Sequence, residues 1–359
     1  MPARLQILQL GRGTVGATLI EQVAARRDAL LRDEGLDLVY VGIAGRSAAA
    51  FDPRGIDLSA WKRAVEAGSG HKDAARSLID GCRELPGPKV LVDATAEDGM
   101  AELYVVALAA GCHIVSCNKK PLAGPLADDR RVREAVRAAG LRWLYEVSVG
   151  AGLPTLSTLR TLVQTGDRIE SIEGCFSGTL NYLCAALDRG ERFSEVLTRA
   201  RGLGYTEPDP RDDLSGQDVA RKALILAREA GLKLEPADVR LEPFCSTPAG
   251  GPVEAFLASC VSLDAPLARD WEEARRRGMR KRFVAAVGDG CGASLREVPA
   301  DSPLGRLAGP ENIFIFRTQR YHDHPLLIAG PGAGPAVTAA GAFGDILELA
   351  RSAAARGAR

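Results

Sequence analysis

The chain has no excess of either charge, no apolar run of membrane length and almost no histidine. Its 46 Lys+Arg are matched by 46 Asp+Glu, so no long-range field draws it toward nucleic acid or an anionic membrane, and a polyanion partner is not expected. No apolar stretch approaches the roughly 20 residues that cross a bilayer. The opening MPARLQILQLGRG also lacks the basic, apolar, small-residue order of a secretory signal, and the expectation is a soluble cytoplasmic protein. The cysteines Cys82, Cys112, Cys117, Cys175, Cys184, Cys245, Cys260 and Cys291 form no C-x-x-C pair and are expected to be reduced and mostly buried. His71, His113, His322 and His324 are too few and too dispersed for a zinc-dependent dehydrogenase. His322 and His324 alternate like strand neighbours and read as solvated rather than metal-binding. No internal repeat and no long low-complexity segment occurs.

What is present is a chain of 359 residues, 46% of them hydrophobic, enough for two domains with deep cores and no need of disulfide or metal staples. Leu5–Leu10 is an apolar run that stops at Gly11, and Val15–Leu31 carries apolar residues at helical spacing. Leu38–Ala44 follows as a second run, so the first forty-four residues have the order of one right-handed βαβ unit. Further apolar runs at Val90–Val92, Ile114–Ser116 and Trp143–Tyr145 alternate with helical patterns at Met100–Ala110 and Asp128–Ala139. The alternation predicts an α/β fold with a doubly wound, Rossmann-type parallel sheet. After Glu146 the pattern changes to a glycine-rich turn (149–154), a helix to about Thr165 and a strand at Ile169–Phe176, which marks a domain boundary. Val239–Pro252 reads as an irregular connection and Arg275–Arg277 as a solvated basic run. A glycine turn at Gly330–Gly334 precedes a helix over Ala336–Ala353.

Gly11-Arg12-Gly13-Thr14-Val15-Gly16 fits G-x-G-x-x-G between a predicted strand and a predicted helix. The first glycine permits the tight turn, the second admits a pyrophosphate to the backbone, and the third lets helix pack on strand. The competing reading is a glycine turn that binds nothing. An NAD site would place an acid at the end of the second strand, whereas Ala44-Gly45-Arg46-Ser47 stands there. Arg46 and Ser47 suit a 2′-phosphate instead, so NADP(H) is favoured and NAD(H) remains open.

The segment richest in chemistry is GYTEPDPRDDLSGQDVARK, 204–222, where several carboxylates and two prolines precede a helix starting near Ser215, the expected N-cap. Asp218 and Lys222 lie four apart, on one helix face. Spacing alone fits a surface ion pair worth a few tenths of a kcal/mol.

This segment resembles the signature of the homoserine dehydrogenases, specifically the short monofunctional type. The similarity extends to GRGTVG, to Asn118-Lys119-Lys120, to EVSVGAGLP from Glu146, to IEGCFSGTLNY from Ile172 and to AGPGAGPAVTAAGAFGDIL near the end. The resemblance implies reversible reduction of L-aspartate 4-semialdehyde to L-homoserine with a nicotinamide cofactor, in threonine, methionine and isoleucine biosynthesis. It implies Lys222 as proton donor to the aldehyde oxygen, with Lys119 and Asp218 completing the catalytic group. Glu207 would bind the substrate ammonium, with Asp213 a further polar contact and Gly178 and Thr179 donors to the substrate carboxylate. Gly11, Gly13, Thr14, Val15, Gly16, Arg46, Ser47, Thr95 and Lys119 would hold the cofactor, with Gly332 and Gly334 near its nicotinamide end. Sodium or potassium is expected near Glu146 with carbonyls of Val149, Ala151 and Leu153. The family's C-terminal return implies a discontinuous nucleotide domain, 1–146 with 335–359. Residues 147–334 would form an α+β catalytic domain with a mixed sheet that carries a homodimer contact.

Two departures stand out. Alanine follows Asp93 in Asp93-Ala94-Thr95-Ala96, where relatives often carry a polar residue, and Pro331 and Pro335 interrupt the last glycine loop. The length leaves no room for an aspartokinase or a regulatory ACT domain, so threonine feedback through such a domain is not expected. Two rival readings compete: Cys117 as the thiol nucleophile of a phosphorylating semialdehyde dehydrogenase, with Lys119 or His113 tuning it, and a non-catalytic NADP sensor.

Overall fold

The structure is a computed structural model that describes residues 2–68, 73–246 and 250–357; His71 lies outside the described residues. Two compact units divide the chain, residues 1–152 with 333–359 and residues 153–332.

The first unit is built on six strands: β1 (Ala3–Leu10), β2 (Leu36–Ala44), β3 (Ala49–Phe51), β4 (Lys89–Asp93), β5 (Cys112–Ser116) and β6 (Trp143–Leu144). Their order is β3-β2-β1-β4-β5-β6, parallel throughout except for β3, which runs antiparallel to β2. Strands covered by helices on both faces read as continuous apolar runs rather than alternating ones. β2 is buried at every position but Asp37, and β4 and β5 are buried throughout. β1 lies between β2 and β4, so successive connections leave it in opposite directions and open a crevice at the carboxyl ends of these strands.

The helix Thr14–Glu34 leaves β1 through the glycine turn and stops at Gly35 in the left-handed conformation. The last helix, Pro335–Gly357, shares its core: Ala339, Ala342, Phe343, Ile346 and Leu349 join Leu5, Ile7, Leu19, Ile20 and Val23. Gln22 Nε2 also donates to the Ala336 carbonyl at 2.9 Å. β3 and the helices Trp61–Ala67 and Ala74–Gly81 escape sequence reading because none is longer than eight residues, too short for periodicity to declare itself.

The second unit carries β7 (Ile169–Cys175), β8 (Arg240–Leu241), β9 (Met279–Val287), β10 (Cys291–Pro299), β11 (Asn312–Thr318) and β12 (Leu326–Gly330) in the order β12-β11-β7-β9-β10-β8. Among the described residues only β8 pairs in parallel, with β10, so the sheet is mixed. The helices Gly178–Asp188, Gln217–Glu229 and Val261–Arg276 pack on β9. From β9 the fully buried Arg282 reaches Asp188 at 2.7 Å and the carbonyls of Leu304, Gly305 and Leu307 at 2.8–3.1 Å. That buried cation is tolerated because its donors are met by fixed oxygens.

Several local expectations change. Ser215 is not the N-cap residue of the helix that bears Asp218, although its hydroxyl accepts from the Gln217 amide at 3.2 Å; it ends the short helix Pro210–Leu214, and Gly216 is the N-cap of Gln217–Glu229. A second helix immediately upstream leaves Ser215 in helical conformation, so a left-handed glycine must make the turn. His322 and His324 sit in a bend between β11 and β12 rather than in a strand, with His322 Nδ1 3.0 Å from Asp323. Among the described residues, no group of three or more His, Cys, Asp or Glu is placed to hold a metal ion. Val239–Pro252 contains β8 and is otherwise irregular where described, with 247–249 outside the described residues. All eight cysteines are free, six of them buried. No helix among the described residues is long and apolar enough to cross a membrane.

Candidate active site

In the first unit the glycine turn is held from below by a buried side chain. Gln9 Nε2 donates to the carbonyls of Gly11 and Gly16, both at 2.9 Å, and Gln9 Oε1 accepts from the Tyr40 hydroxyl at 2.9 Å. The three glycines meet different surroundings. Gly11 has φ +91° and a Cβ there would lie 2.4 Å from the Ala94 carbonyl oxygen; at Gly16 it would lie 2.2 Å from the Gly11 oxygen; at Gly13 it would meet nothing within 4 Å. The outer two glycines are thus required by the fold, and the middle one only by whatever approaches from outside. Above the turn is a cavity of about 820 Å³. It is lined by the turn (Gly11, Arg12, Gly13), the end of β2 (Ala44, Gly45, Arg46), the segment after β4 (Ala94–Glu97) and the start of the helix Ala74–Gly81.

Of the expected cofactor residues, Gly11, Gly13, Arg46 and Thr95 line this cavity. Thr14, Val15 and Gly16 open the helix behind it, and Ser47 is exposed in the turn after Arg46. Arg46 pairs with Glu97 at 3.2 Å. Arg12 and Glu97 were missed as lining residues, because a variable fingerprint position and a residue in the loop after β4 carry no signal until the fold shows what they face.

Beside the cavity a buried network braces the loop that carries Lys119. Asp93 accepts from the Tyr104 hydroxyl at 2.6 Å and from the Thr95 amide and hydroxyl at 2.8 and 2.7 Å. Ser116 Oγ lies 2.8 Å from Tyr104 and donates to the Asn118 carbonyl, while Asn118 Nδ2 donates to the Glu97 carbonyl. Lys119 is half-buried at the N-cap of the short helix Lys120–Ala123. The alanine after Asp93 is therefore no loss to this network, since its carbonyl closes on Gly11 and Thr95 supplies the polar contacts.

Cys117 packs against the core, and burial, then Asp93 and Asp345, push its thiol up. His113 accepts from the Arg142 amide at 3.0 Å, and burial, with Arg356 and Arg142, lowers it to about 4. His113 and Cys117 lie at opposite ends of β5, and a raised thiol with no cation or base among the described residues acting on it is the opposite of an activated nucleophile.

In the second unit the helix Gln217–Glu229 is buried along most of its length, and Lys222 is carried inward with that face. Its Nζ donates to the Phe176 carbonyl and pairs with Asp218, both at 2.7 Å, with the lysine side chain 10% exposed. Asn312 Nδ2 donates to the same carbonyl at 3.2 Å, and Gly332 packs against the Asn312 side chain. Phe176 directly follows β7, and Ser177 after it caps the helix Gly178–Asp188, its Oγ accepting from the Leu180 amide. The ammonium of Lys222 and the amides of Gly178 and Thr179 thus gather around one strand end. Amides in the first turn of a helix have no acceptor within it and favour an anion.

Asp213 joins this group through Thr179, whose hydroxyl lies 2.9 Å from one carboxylate oxygen, while the Glu207 amide donates to the other at 2.8 Å. Burial raises the Asp213 carboxyl against those two bonds, and the charges of Glu207 and Asp218 raise it further. Three carboxylates against one lysine leave a net negative site suited to an ammonium-bearing ligand. Glu207 itself is exposed on the loop before the helix Pro210–Leu214.

The expected cation ligands divide between the units. Glu146, 8% exposed, donates its amide to Asp345 at 3.0 Å, and Val149 and Ala151 follow in the same turn, Ala151 with φ +52°. Leu153 belongs to the second unit and Gly334 to the first.

A glycine turn beneath a cavity at the sheet's switch point marks an α/β fold of the dinucleotide-binding class, and the second unit bears a buried lysine paired with a half-exposed aspartate. Comparison with known proteins agrees: residues 11–146 match the family profile described as homoserine dehydrogenase, NAD binding domain, and residues 154–347 the one described as homoserine dehydrogenase. The chain is 42% identical over 348 residues to bifunctional aspartokinase/homoserine dehydrogenase 2, chloroplastic, of Arabidopsis thaliana, covering 95% of this chain and 38% of that protein. It is 35% identical to the homoserine dehydrogenase of Schizosaccharomyces pombe, covering 95% of this chain and 94% of that one. A Candida auris protein described as of unknown function superposes with a TM-score of 0.85 at 30% identity, covering 98% of both chains. The chain belongs to the homoserine dehydrogenase family. It spans about 38% of the length of the first curated relatives it matches.

Proposed function

We propose that the chain reversibly reduces L-aspartate 4-semialdehyde to L-homoserine, with NADP(H) favoured and NAD(H) usable. The observation that carries this reading is the buried Lys222 ammonium, held between Asp218 and the Phe176 carbonyl beside the first turn of the helix Gly178–Asp188. When bound in the first unit, the nicotinamide cofactor supplies or accepts the hydride. Everything else is done by the chain's side chains and amides. Hydride addition to an aldehyde builds negative charge on oxygen, and a cationic acid within hydrogen-bond reach must meet it. Lys222 is that acid, and in reverse it takes the proton of the homoserine hydroxyl. Asp218 fixes its ammonium, and Lys119 assists from its braced loop.

An amino-acid substrate also carries its own charges. Glu207 binds the ammonium, Asp213 sets the Glu207 loop and adds negative charge, and the Gly178 and Thr179 amides receive the carboxylate. Residues 147–334 act as the catalytic and homodimerisation domain, and residues 1–146 with 335–359 as the nucleotide domain. Sodium or potassium at Glu146 and the Val149 and Ala151 carbonyls, with Leu153, has a structural role; a buried acid beside a turn forced into the left-handed region suits such an ion.

The decisive experiment is oxidation of L-homoserine at alkaline pH without phosphate, following reduction of NADP and NAD in parallel. Homoserine-dependent cofactor reduction, faster with NADP, is expected. Nucleotide binding with no homoserine-dependent reduction of either cofactor would overturn the reading.

A further inference from the structure

We infer that Arg12, the variable residue inside the glycine turn, is the cation that reads the 2′-phosphate of NADP(H), and this rests on the nucleotide reading of the first unit. The adenosine ribose of a dinucleotide sits at the end of the second strand, where an NAD site keeps an acid. Here that position is Gly45, and the space over it is filled by Arg12: a Cβ at Gly45 would lie 2.6 Å from Arg12 Nε and 3.1 Å from its Cδ. A glycine in place of the acid does two things at once. It removes the charge that would repel a phosphate, and it makes room for a guanidinium above the ribose position.

Arg46, the residue the fingerprint context points to first, is less well placed. Its guanidinium is 3.2 Å from Glu97, with the two side chains 90% and 59% exposed, and Glu97 lines the same cavity. A phosphate approaching Arg46 meets a carboxylate beside it. Arg12 also lines the cavity and, among the described residues, takes part in no ion pair. Its full charge is available to the fork-like hydrogen bonding that guanidinium makes with phosphate. The Gly45 amide donates to the Ala48 carbonyl at 2.8 Å, which closes the turn bearing Arg46 and Ser47.

The test is calorimetric titration of the whole chain and of Arg12→Ala, Arg46→Ala and Gly45→Ala with NADP, NAD and the fragments adenosine 2′,5′-bisphosphate and ADP. Arg12→Ala should weaken NADP and the bisphosphate by about tenfold or more and leave NAD and ADP nearly unchanged. Gly45→Ala, which displaces the Arg12 side chain, should reproduce part of that loss, and Arg46→Ala should cost NADP less than Arg12→Ala does. A wild-type preference for NADP that survives Arg12→Ala overturns this inference alone, as does an equal loss for all four ligands, which would put Arg12 on the adenosine 5′-phosphate they share. A wild-type chain that binds NADP no more tightly than NAD overturns the NADP reading and this inference together.

Discussion

The nucleotide region and the lysine region of this protein are specified in opposite ways. The first is defined by side chains that are missing. Gly11 and Gly16 are excluded from carrying a Cβ by backbone oxygens at 2.4 and 2.2 Å, and Gly13 leaves its surface bare toward the cavity. The second is defined by charges that are present and anchored: Lys222 on Asp218 and a carbonyl, and Asp213 on a hydroxyl and an amide. A surface that follows a polyphosphate backbone benefits from close approach and fixed amides. The amino-acid binding and proton transfer proposed for the second region would depend on ionisable groups held at set positions.

The sharpest way to separate the regions is Lys222→Ala. Turnover with homoserine should fall by about 100-fold or more, with nucleotide affinity unchanged by titration; a near-normal rate would remove Lys222 from proton transfer.

A pH effect on stability should come from the first region. His113 has a folded-state pKa near 4 against an ordinary 6.5, because burial and then Arg356 and Arg142 disfavour its charged form. The unfolded chain therefore takes up the proton first. The stabilisation is complete above about pH 6.5 and is lost as pH falls toward 4, amounting to about 2 kcal/mol at pH 5. Denaturant melts of wild type and His113→Asn at pH 7.5 and 5 should show a steeper loss in the wild type, and parallel losses would refute the assignment.

Gly216→Ala tests whether the second region also leans on an absent side chain. With φ +72° and a Cβ placed 2.6 Å from the Phe283 ring, the substitution should destabilise the protein by about 1–3 kcal/mol. It should also reduce turnover by shifting the helix that carries Lys222. Unchanged melting and turnover would show that the turn can reform without glycine.

The mildest structural change should be Gly13→Val. A Cβ there meets nothing within 4 Å, so the melting temperature should hold while nucleotide affinity falls by about tenfold, the cost of losing close contact with one charged group. A drop in melting temperature with affinity intact would reverse the reading.

Much of the fold was legible because parallel strands buried on both faces leave unmistakable apolar runs. β1, β2, β4 and β5 and the long helices at Thr14 and Leu126 lie close to where periodicity puts them. β3, the helices Trp61–Ala67 and Ala74–Gly81 and the true cap of the Lys222 helix were not legible. Three- to eight-residue elements have no period, and the choice between Ser215 and Gly216 depends on a helix packed just upstream. The spacing of Asp218 and Lys222 showed only that they share a face. Their meaning changed once the helix turned that face inward and seated the lysine at the end of β7.

The sequence by itself determined that residues 1–44 form a strand, a glycine turn, a helix and a strand, and that the family signature lies at 204–222. Those features are local: glycine spacing, apolar periodicity and a contiguous motif need no distant partner to be read. Tertiary structure decided which residue stands over Gly45, that Gln9 clamps the glycine turn, and that the Cys117 thiol is raised rather than activated. It also decided that Phe176, Gly178, Asp213 and Lys222 meet around one strand end. These depend on distances between residues far apart in the chain, and burial, which sets the cost of a charge and the need for its partner, exists only once the chain has packed.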